Sequence, residues 1–226
     1  MKEIIYKKSH WTLLSNLRGK AKKILLALER SNFNCILYGS VARGDVDKNS
    51  DIDIVIPEVI SSFLLESALK KSEIEIRNRY MIQATPKHPM KAYIEIDDFT
   101  TVSFPLMNLS KIDREFYKFG GELSLKQLLS KLRVYGVNKK LMMIKPTKIG
   151  HIEQSIINIE NQVAKNLGIS TQIVLNRSNT LQRREKIGRT GVFIKKQIDS
   201  SETFELALKK ITNINPAVRR RMKKYY

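Results

Sequence analysis

The chain has 226 residues and a formal net charge of +19, with 41 Lys and Arg against 22 Asp and Glu. This length suits one large globular domain or two small ones. The single cysteine, Cys35, excludes a disulfide framework within one chain and favours a reducing cytosol. No stretch approaches the roughly 18 apolar residues of a membrane span, and the N-terminal residues lack the apolar core of a signal peptide. We therefore expect a cytoplasmic protein with no membrane partner.

The positive charge is concentrated in the second half of the chain. Residues 1–125 carry 19 Lys and Arg against 16 Asp and Glu, a balance of +3, whereas residues 126–226 carry 22 against 6, a balance of +16. This asymmetry is typical of a polyanion-binding module joined to a nearly neutral one. We expect nucleic acid as a partner of the second half, the alternative being a lysine-rich surface that is only well solvated.

The first half alternates helical and extended patterns. Apolar residues recur at helical spacing after Thr12, whereas short apolar runs bounded by Gly, Pro or polar clusters indicate strands. The predicted elements in chain order are a helix over 12–30, strands over 34–39 and 50–57, a helix over 58–71, and strands over 73–85, 91–97 and 100–106. This order predicts an α+β fold with a mixed sheet and flanking helices.

The segment "ILYGSVARGDVDKNSDIDIVIP", residues 36–57, places two aspartates at the start of an apolar strand. Side chains of a strand alternate between faces, so Asp51 and Asp53 are expected on one face, about 7 Å apart along the strand. Two carboxylates so close repel each other unless a cation lies between them. A hard divalent cation with oxygen ligands, Mg²⁺ above all or Mn²⁺, is the expected partner.

The Gly-Ser pair upstream of the aspartates suggests a phosphate-binding turn. Gly39 allows a sharp turn after the preceding strand, and Ser40 can begin a helix whose free N–H groups face a phosphate. A phosphate cradle beside a carboxylate pair is suited to metal-assisted phosphoryl or nucleotidyl transfer.

Together these residues resemble a known signature. "YGSVARGDVDKNSDIDIVI" is similar to the Gly-Ser and Asp-x-Asp motif of the polymerase-beta-like nucleotidyltransferase superfamily, which includes CCA-adding enzymes, poly(A) polymerases, antibiotic nucleotidyltransferases and small MNT domains. The form "GSVARG" is most similar to the small stand-alone members. The resemblance covers roughly residues 12–110.

The resemblance implies transfer of a nucleoside monophosphate from an NTP to a hydroxyl. It implies that Gly39 and Ser40 hold the triphosphate and that Asp51 and Asp53 bind two Mg²⁺. Arg43 either steadies the triphosphate or caps the loop.

Active members of the superfamily have a third carboxylate on a neighbouring strand, where it helps to activate the acceptor hydroxyl. In "KAYIEIDDF" Glu95 lies nearer the centre of the strand and is the preferred residue for catalysis and metal binding, with Asp97 as the alternative. A glutamate where many relatives have aspartate leaves this assignment open, as does the possibility that Glu95 only faces solvent and the enzyme is degenerate.

The second half suggests a different module. Residues 122–149 carry glycine and proline and are interpreted as a connector, with one short strand at "KLMMI". Ile159, Val163 and Leu167 fall on one helical face, Gly168 ends that helix, and Ser170 is a good N-cap for a second one. This is a helix–turn–helix pattern, and "REKIGRTGVFI" after it looks like the wing of a winged helix. The resemblance covers about residues 150–198.

The second helix and the wing carry the residues expected to contact nucleic acid. Amide side chains on such a surface can read base edges, whereas guanidinium and ammonium groups mainly contact phosphates. These residues are Gln172, Asn176, Arg177, Arg183, Arg184, Lys186 and Arg189. The alternative is a winged helix that binds another protein.

The whole sequence therefore predicts a nucleotidyltransferase domain over 1–121, a connector over 122–149, and a winged helix–turn–helix domain with a basic tail over 150–226. The predicted function is Mg²⁺-dependent transfer of NMP from an NTP, with nucleic acid as acceptor or docking partner. One alternative is an MNT-type enzyme that transfers AMP to a protein hydroxyl. The other is a DNA-binding regulator whose nucleotidyltransferase fold senses nucleotide without turnover.

Overall fold

The computed structural model of the chain describes residues 1–188 and 190–224. Within them lie eleven strands: β1 Lys2–Ile5, β2 Ile36–Tyr38, β3 Ile52–Val55, β4 Asn78–Gln83, β5 Lys91–Asp97, β6 Thr100–Pro105, β7 Glu122–Ser124, β8 Gly136–Val137, β9 Met142–Thr147, β10 Gly150–Ser155 and β11 Ile194–Gln197. The helices of the same residues are α1 Lys8–Arg30, α2 Ser40–Arg43, α3 Ser62–Lys71, α4 Lys111–Gly120, α5 Leu125–Leu129, α6 Glu160–Leu167, α7 Thr171–Ile187, α8 Phe204–Ile214 and α9 Pro216–Lys223. None of the described helices is long and apolar enough to cross a bilayer.

The mixed α+β fold predicted for the first half is confirmed. Seven strands form one sheet in the order β11-β4-β5-β6-β3-β2-β7. The pair β3 and β6 is parallel, and the other neighbours are antiparallel. The predicted strand pair around the turn "PKHPM" is the hairpin of β4 and β5. Helix α1 begins four residues earlier than predicted, and α3 begins four residues later.

One face of the seven-stranded sheet holds the main core. Its strands alternate, so Leu37, Ile54, Ile94 and Val102 lie on a common face, and each of them is completely buried. Apolar residues of α1, α3 and α8 belong to the same buried cluster. Burial of each such side chain stabilises the fold by about 1.5–3 kcal/mol. The opposite face of the sheet is therefore left for the polar residues of β3 and β5.

The segment predicted to be a connector, residues 122–149, contributes β8 and β9 to a second, four-stranded sheet. The order of this sheet is β1-β10-β9-β8, and it joins the N-terminal strand to residues 136–155. Gly150 pairs with Ile5, and a Cβ at Gly150 would lie 1.8 Å from the carbonyl oxygen of Ile4. A residue with a side chain cannot approach β1 this closely. The pairing with β1 is long-range, which is why local patterns show only an isolated strand.

Two helices joined by a short turn lie where a helix–turn–helix was predicted, but the residues expected to form a wing pair elsewhere. Gly168 ends α6 in the left-handed conformation (φ 61°), and α7 follows after Ser170. The residues expected to form a wing hairpin instead lead into β11, which pairs antiparallel with β4 at the edge of the large sheet. An unpaired edge strand exposes backbone donors and acceptors, and β11 satisfies those of β4. Arg189 lies outside the described residues.

The last helices also belong to the first core. The ring of Phe204 in α8 is fully buried, and its centroid lies 5.6 Å from that of Phe104 in β6. The buried Arg221 of α9 donates to the carbonyl oxygen of Asn108 at 3.1 Å and to Asp113 at 3.2 Å. Strands and helices after residue 150 thus pair and pack across the expected boundary. The described residues do not separate into the three consecutive units that the sequence suggested.

Candidate active site

The aspartate pair lies where β3 begins. Asp53 is the second residue of the strand and is half-buried, whereas Asp51 precedes the strand and is exposed. Ile52 and Ile54 alternate with Asp53 and point into the core, as the sequence predicted. The two carboxylates are close enough for Asp51 to raise the pKa of Asp53. The carboxylate of Asp53 is therefore partly inside the protein, whereas that of Asp51 remains at the surface.

The Gly-Ser pair lies directly beside Asp53. Strand β2 ends at Tyr38, which pairs with Asp53, and the chain then turns through Gly39 at φ 85°. That conformation favours glycine. A Cβ at Gly39 would lie 3.9 Å from Oδ2 of Asp53. Ser40 is the first residue of α2, as expected, so the turn and the carboxylate share one corner of the sheet.

Glu95 is in register with Asp53. Thr101 of the central strand β6 pairs with Asp53 of β3 on one side and with Glu95 of β5 on the other. Residues paired across neighbouring strands point to the same face, so the two carboxylates flank Thr101 with roughly 10 Å between their Cα atoms. Asn78 pairs with Glu95 from the next strand, and its side-chain amide donates to Oε2 of Glu95 at 3.0 Å.

Asp97, the alternative third carboxylate, has a different environment. A register shift between Glu95 and Asp97 takes Asp97 out of the row that contains Asp53. Its Oδ1 accepts a hydrogen bond from the backbone N–H of Phe99 at 2.9 Å, within the turn between β5 and β6. The geometry therefore favours Glu95 as the carboxylate that faces Asp53.

The electrostatics of Asp53 indicate a place for a cation. The pKa of Asp53 is raised to about 6, mainly by burial and then by the charge of Asp51, while the charge of Lys139 acts in the opposite direction. A raised pKa means that the ionised carboxylate is unfavourable in its surroundings, and a nearby positive charge would relieve that cost. Lys139 lies between β8 and β9 of the second sheet, and sequence reasoning did not identify it.

The donor set fits a hard divalent cation, which prefers carboxylate oxygens. The described residues do not, however, bring three or more His, Cys, Asp or Glu side chains into one cluster that could hold a metal ion. Asp51 and Asp53 supply two carboxylates, and Glu95 lies two strands away in the same row. Phosphate oxygens of a bound nucleotide would have to contribute further ligands.

Arg43 is placed differently from a residue that holds a triphosphate. It is 5% exposed, and its guanidinium forms a bidentate ion pair with Asp45 at 2.9 and 3.0 Å. Its remaining terminal nitrogen donates to the carbonyl oxygen of Gly120. These contacts favour the second of the two roles considered for Arg43, in which it caps the loop.

Arg18 of α1 also supports the loop, and no local sequence signal identifies it. Its guanidinium donates to the carbonyl oxygens of Val41 at 3.0 Å, Ala42 at 2.8 Å and Leu132 at 2.7 Å. Burial lowers the pKa of Arg18 to about 10. Carbonyl groups at the end of a helix lack intrahelical partners, so Arg18 satisfies those of the single turn that follows Gly39. It is a positioning residue for the Gly-Ser turn.

Aromatic side chains cover the sheet beside Asp53. Tyr38 stacks on Phe116 of α4 with ring centroids 5.7 Å apart, and Tyr117 meets the Tyr38 ring edge-on at 5.6 Å. A Cβ at Gly120 would lie 2.4 Å from the Tyr38 hydroxyl oxygen, so glycine permits this packing. Tyr117 is buried and only Phe116 borders an open cavity.

Helix α7 lies over this same face of the sheet. The expected base-reading residues Gln172 and Asn176 are exposed and hydrogen-bonded to each other at 2.8 Å. Arg177 turns inward, with its guanidinium carbon 4.9 Å from the centre of the Phe116 ring. Arg183, Arg184 and Lys186 are exposed on the last turns of α7. The expected contact residues are therefore divided between the outer surface and the side that faces the sheet.

A cavity of about 490 Å³ separates α7 from the hairpin of β4 and β5. Lys91 and Tyr93 of β5 line it on the sheet side, while Arg177, Arg183 and Arg184 line it on the helix side. Tyr93 and Lys91 precede Glu95 by two and four residues, so they lie on the same sheet face. The cavity thus begins beside the row of Asp53 and Glu95.

Part of this region matches a family model. No curated protein and no solved structure matched the chain. Residues 18–92, which are 75 of the 226 residues, match the family model described as "Nucleotidyltransferase domain". The matched segment runs from Arg18 through the Gly-Ser turn and the aspartate pair to the start of β5. This match supports the nucleotidyltransferase superfamily, and with it an NTP substrate and nucleotidyl transfer in general.

Proposed function

We propose that the protein transfers a nucleoside monophosphate from an NTP to an acceptor hydroxyl in an Mg²⁺-dependent reaction. The observation that carries the proposal is the row of Asp53, Thr101 and Glu95 next to the turn at Gly39. It supports a site in which carboxylates, a phosphate-binding turn and an acceptor-activating group share one face of a sheet. The family match over residues 18–92 supports the same reaction class.

In this proposal Asp51 and Asp53 hold Mg²⁺, with Mn²⁺ as the other suitable ion. When bound there, the ion would supply positive charge that offsets the charge of the triphosphate. Gly39 shapes the turn, because its own N–H donates to the carbonyl oxygen of Gly121 at 2.9 Å. Ser40 contacts the β- and γ-phosphates with its backbone N–H group and its hydroxyl. Lys139, whose charge lowers the pKa of Asp53, is the further residue proposed to contact the same phosphates.

Glu95 is the proposed base, with metal coordination as its second role. The acceptor oxygen forms a bond to the α-phosphorus, and the bond from that phosphorus to the bridging oxygen of pyrophosphate breaks. Pyrophosphate leaves with the electron pair of that bond, and the hydroxyl proton passes to the carboxylate of Glu95. The hydrogen bond from Asn78 holds Glu95 in orientation.

Nucleic acid is the proposed acceptor or docking partner because residues 126–226 carry a charge of +16. Phosphate backbones bind such surfaces through many cationic contacts. A protein hydroxyl is the second candidate acceptor. The third candidate function is a regulator that senses nucleotide without turnover. It is favoured by the distance of Glu95 from the aspartate pair, because catalysis needs the third carboxylate near the other two.

The proposal is tested with labelled NTPs, Mg²⁺ and total nucleic acid, and with calorimetry of NTP binding. We expect the wild type to bind Mg²⁺–NTP and to transfer label, and Asp51→Ala/Asp53→Ala to do neither. Asp199→Asn, which changes an exposed carboxylate outside the site, is the matched control. Equal NTP binding by the wild type and the double variant would overturn the metal assignment. Binding without transfer to any acceptor would favour the regulator.

A further inference from the structure

The cavity between α7 and the β4–β5 hairpin, here called the α7 cleft, contains cations that lack acidic partners. Lys91, Arg177, Arg183 and Arg184 all line it, and none of them forms an ion pair with another described residue. The described lining includes one carboxylate, Asp113, which already pairs with Arg221 at 3.2 Å. Positive charge therefore dominates the α7 cleft.

Two of these cations are partly withdrawn from bulk water and are compensated only by aromatic rings. The Nε of Arg177 is buried and has no hydrogen-bond partner among the described residues. The ammonium of Lys91 lies 5.2 Å from the ring of Phe116 and 4.7 Å from that of Tyr117. Ring contacts compensate a buried charge only in part. Because an unpaired buried cation is costly, these groups indicate an anionic ligand.

The position of the α7 cleft relative to Asp51 and Asp53 indicates which anionic ligand the cleft binds. Strand β2 runs toward Gly39 at one end of the sheet, whereas β5 begins at Lys91 on the other side of the row of Asp53 and Glu95. In nucleotidyl transfer the attacking and leaving oxygens are roughly in line. If pyrophosphate leaves toward Gly39, the acceptor must approach from the side of Tyr93 and Lys91.

We propose that the α7 cleft is the acceptor site and that it receives the single-stranded 3′ end of a polynucleotide. Its volume of about 490 Å³ suits a group of nucleotide size. Tyr93 stacks on Tyr80 with ring centroids 5.1 Å apart and lines the cleft, so this pair offers an aromatic surface on which a base can stack. Arg177 and Arg184 are seven residues apart on α7, or about 10 Å along the helix, so their guanidinium groups reach more than one phosphate.

The charge of the α7 cleft also excludes one class of acceptor. A polycationic small molecule would meet four cations there and no unpaired carboxylate among the described lining residues. This acceptor assignment rests on the proposed nucleotidyl transfer, but binding of the polynucleotide can be measured without it.

The test is fluorescence anisotropy of a labelled single-stranded oligonucleotide with the full-length protein, in the absence of NTP. Arg183→Ala/Arg184→Ala removes two exposed cations of the cleft, and Lys91→Met removes a half-buried one with little loss of volume. Lys22→Ala/Lys23→Ala removes two exposed charges from α1, which packs on the opposite face of the sheet, and is the matched control. We expect binding to weaken by at least about tenfold in the cleft variants and to stay unchanged in the control.

The salt dependence gives a second readout. The log–log slope should fall by about 0.7 for each single-strand phosphate contact that is lost, so by about 1.4 for the double variant of α7. A blunt duplex of the same sequence should bind more weakly than the single strand, because its 3′ end is paired. The inference would be overturned if Arg183→Ala/Arg184→Ala bound the oligonucleotide with the wild-type affinity and salt slope. It would also be overturned if the α1 control lost as much affinity as the cleft variants, or if the duplex bound as tightly as the single strand.

Calorimetry of NTP binding separates this inference from the proposed function. Arg183→Ala/Arg184→Ala should bind Mg²⁺–NTP like the wild type, whereas Asp51→Ala/Asp53→Ala should bind the oligonucleotide like the wild type. Loss of NTP binding in the α7 variant would assign the cleft to the nucleotide rather than the acceptor. A wild type that binds the oligonucleotide through the cleft but no NTP would refute the proposed function alone.

Discussion

Asp53 and Glu95 flank the same residue, Thr101, from opposite sides of β6. The two carboxylates are 42 positions apart in the sequence, yet the parallel pairing of β3 with β6 and the antiparallel pairing of β6 with β5 align them in one row. The turn at Gly39 adjoins one end of this row, and the α7 cleft adjoins the other side.

Glu95→Gln should leave binding of Mg²⁺–NTP nearly unchanged and lower the transfer rate by about 100-fold or more, as expected for loss of a positioned base. The amide is isosteric with the carboxylate, and Asn78 can still hold it. Single-turnover transfer and calorimetry measure the two effects separately. Asp97→Asn is the control, because Asp97 caps the turn before Phe99. Full activity of Glu95→Gln with loss in Asp97→Asn would reverse the assignment of the third carboxylate.

Asp53→Asn should stabilise the metal-free protein at neutral pH. The folded-state pKa of Asp53 is about 6, above its ordinary value of 3.8, so folding favours the protonated form. Its contribution is therefore fully present below pH 3.8 and is lost as the pH rises through 6. We expect Asp53→Asn to gain on the order of 2–3 kcal/mol at pH 7.5 and nothing at pH 3.5.

Urea unfolding with a chelator present measures this difference. Asp199→Asn, at an exposed position, should show no pH-dependent gain. A gain for Asp53→Asn of the same size at both pH values would mean that the effect comes from packing and not from ionisation.

Arg18→Met should weaken NTP binding although Arg18 is not expected to contact the nucleotide. The variant keeps the apolar stem but removes the donors to Val41, Ala42 and Leu132. Unsatisfied carbonyls should cost about 1–3 kcal/mol of stability. The turn before α2 should become less ordered, so we expect a several-fold higher Kd for Mg²⁺–NTP by calorimetry. Lys22→Met, exposed on the same helix, is the control, and an unchanged Kd would restrict Arg18 to a structural role.

Phe204→Ala should destabilise the whole molecule by about 3–5 kcal/mol, because its ring is fully buried against Phe104 of the large sheet. Thermal unfolding followed by circular dichroism should remain a single transition at a lower Tm. Leu206→Ala, at a position 45% exposed on the same helix, should have little effect. Two separate transitions, with only one of them shifted, would restore an independent unit over residues 150–226.

Local patterns predicted the elements that depend on neighbouring residues. Periodicity and turn residues predicted the helix before Arg30, the strands around the Gly-Ser turn, and the hairpin of β4 and β5. The same patterns predicted the helix pair around Gly168. They failed for β11, because the choice between a local hairpin and the edge of β4 depends on a strand more than 100 residues away.

The amino-acid sequence by itself determined which residues were candidates for the site: the Gly-Ser turn, the alternating aspartates and Glu95, chosen for its place in its strand. It also determined the excess of positive charge after residue 125. Only the tertiary structure decided how these parts meet. The register of the sheet aligns Glu95 with Asp53. Arg43 is buried and forms an ion pair with Asp45, and the packing of α7 directs Arg177 toward the sheet. Register, burial and helix packing depend on contacts between residues that are distant in the sequence. The spacing of residues along the chain does not reveal such contacts.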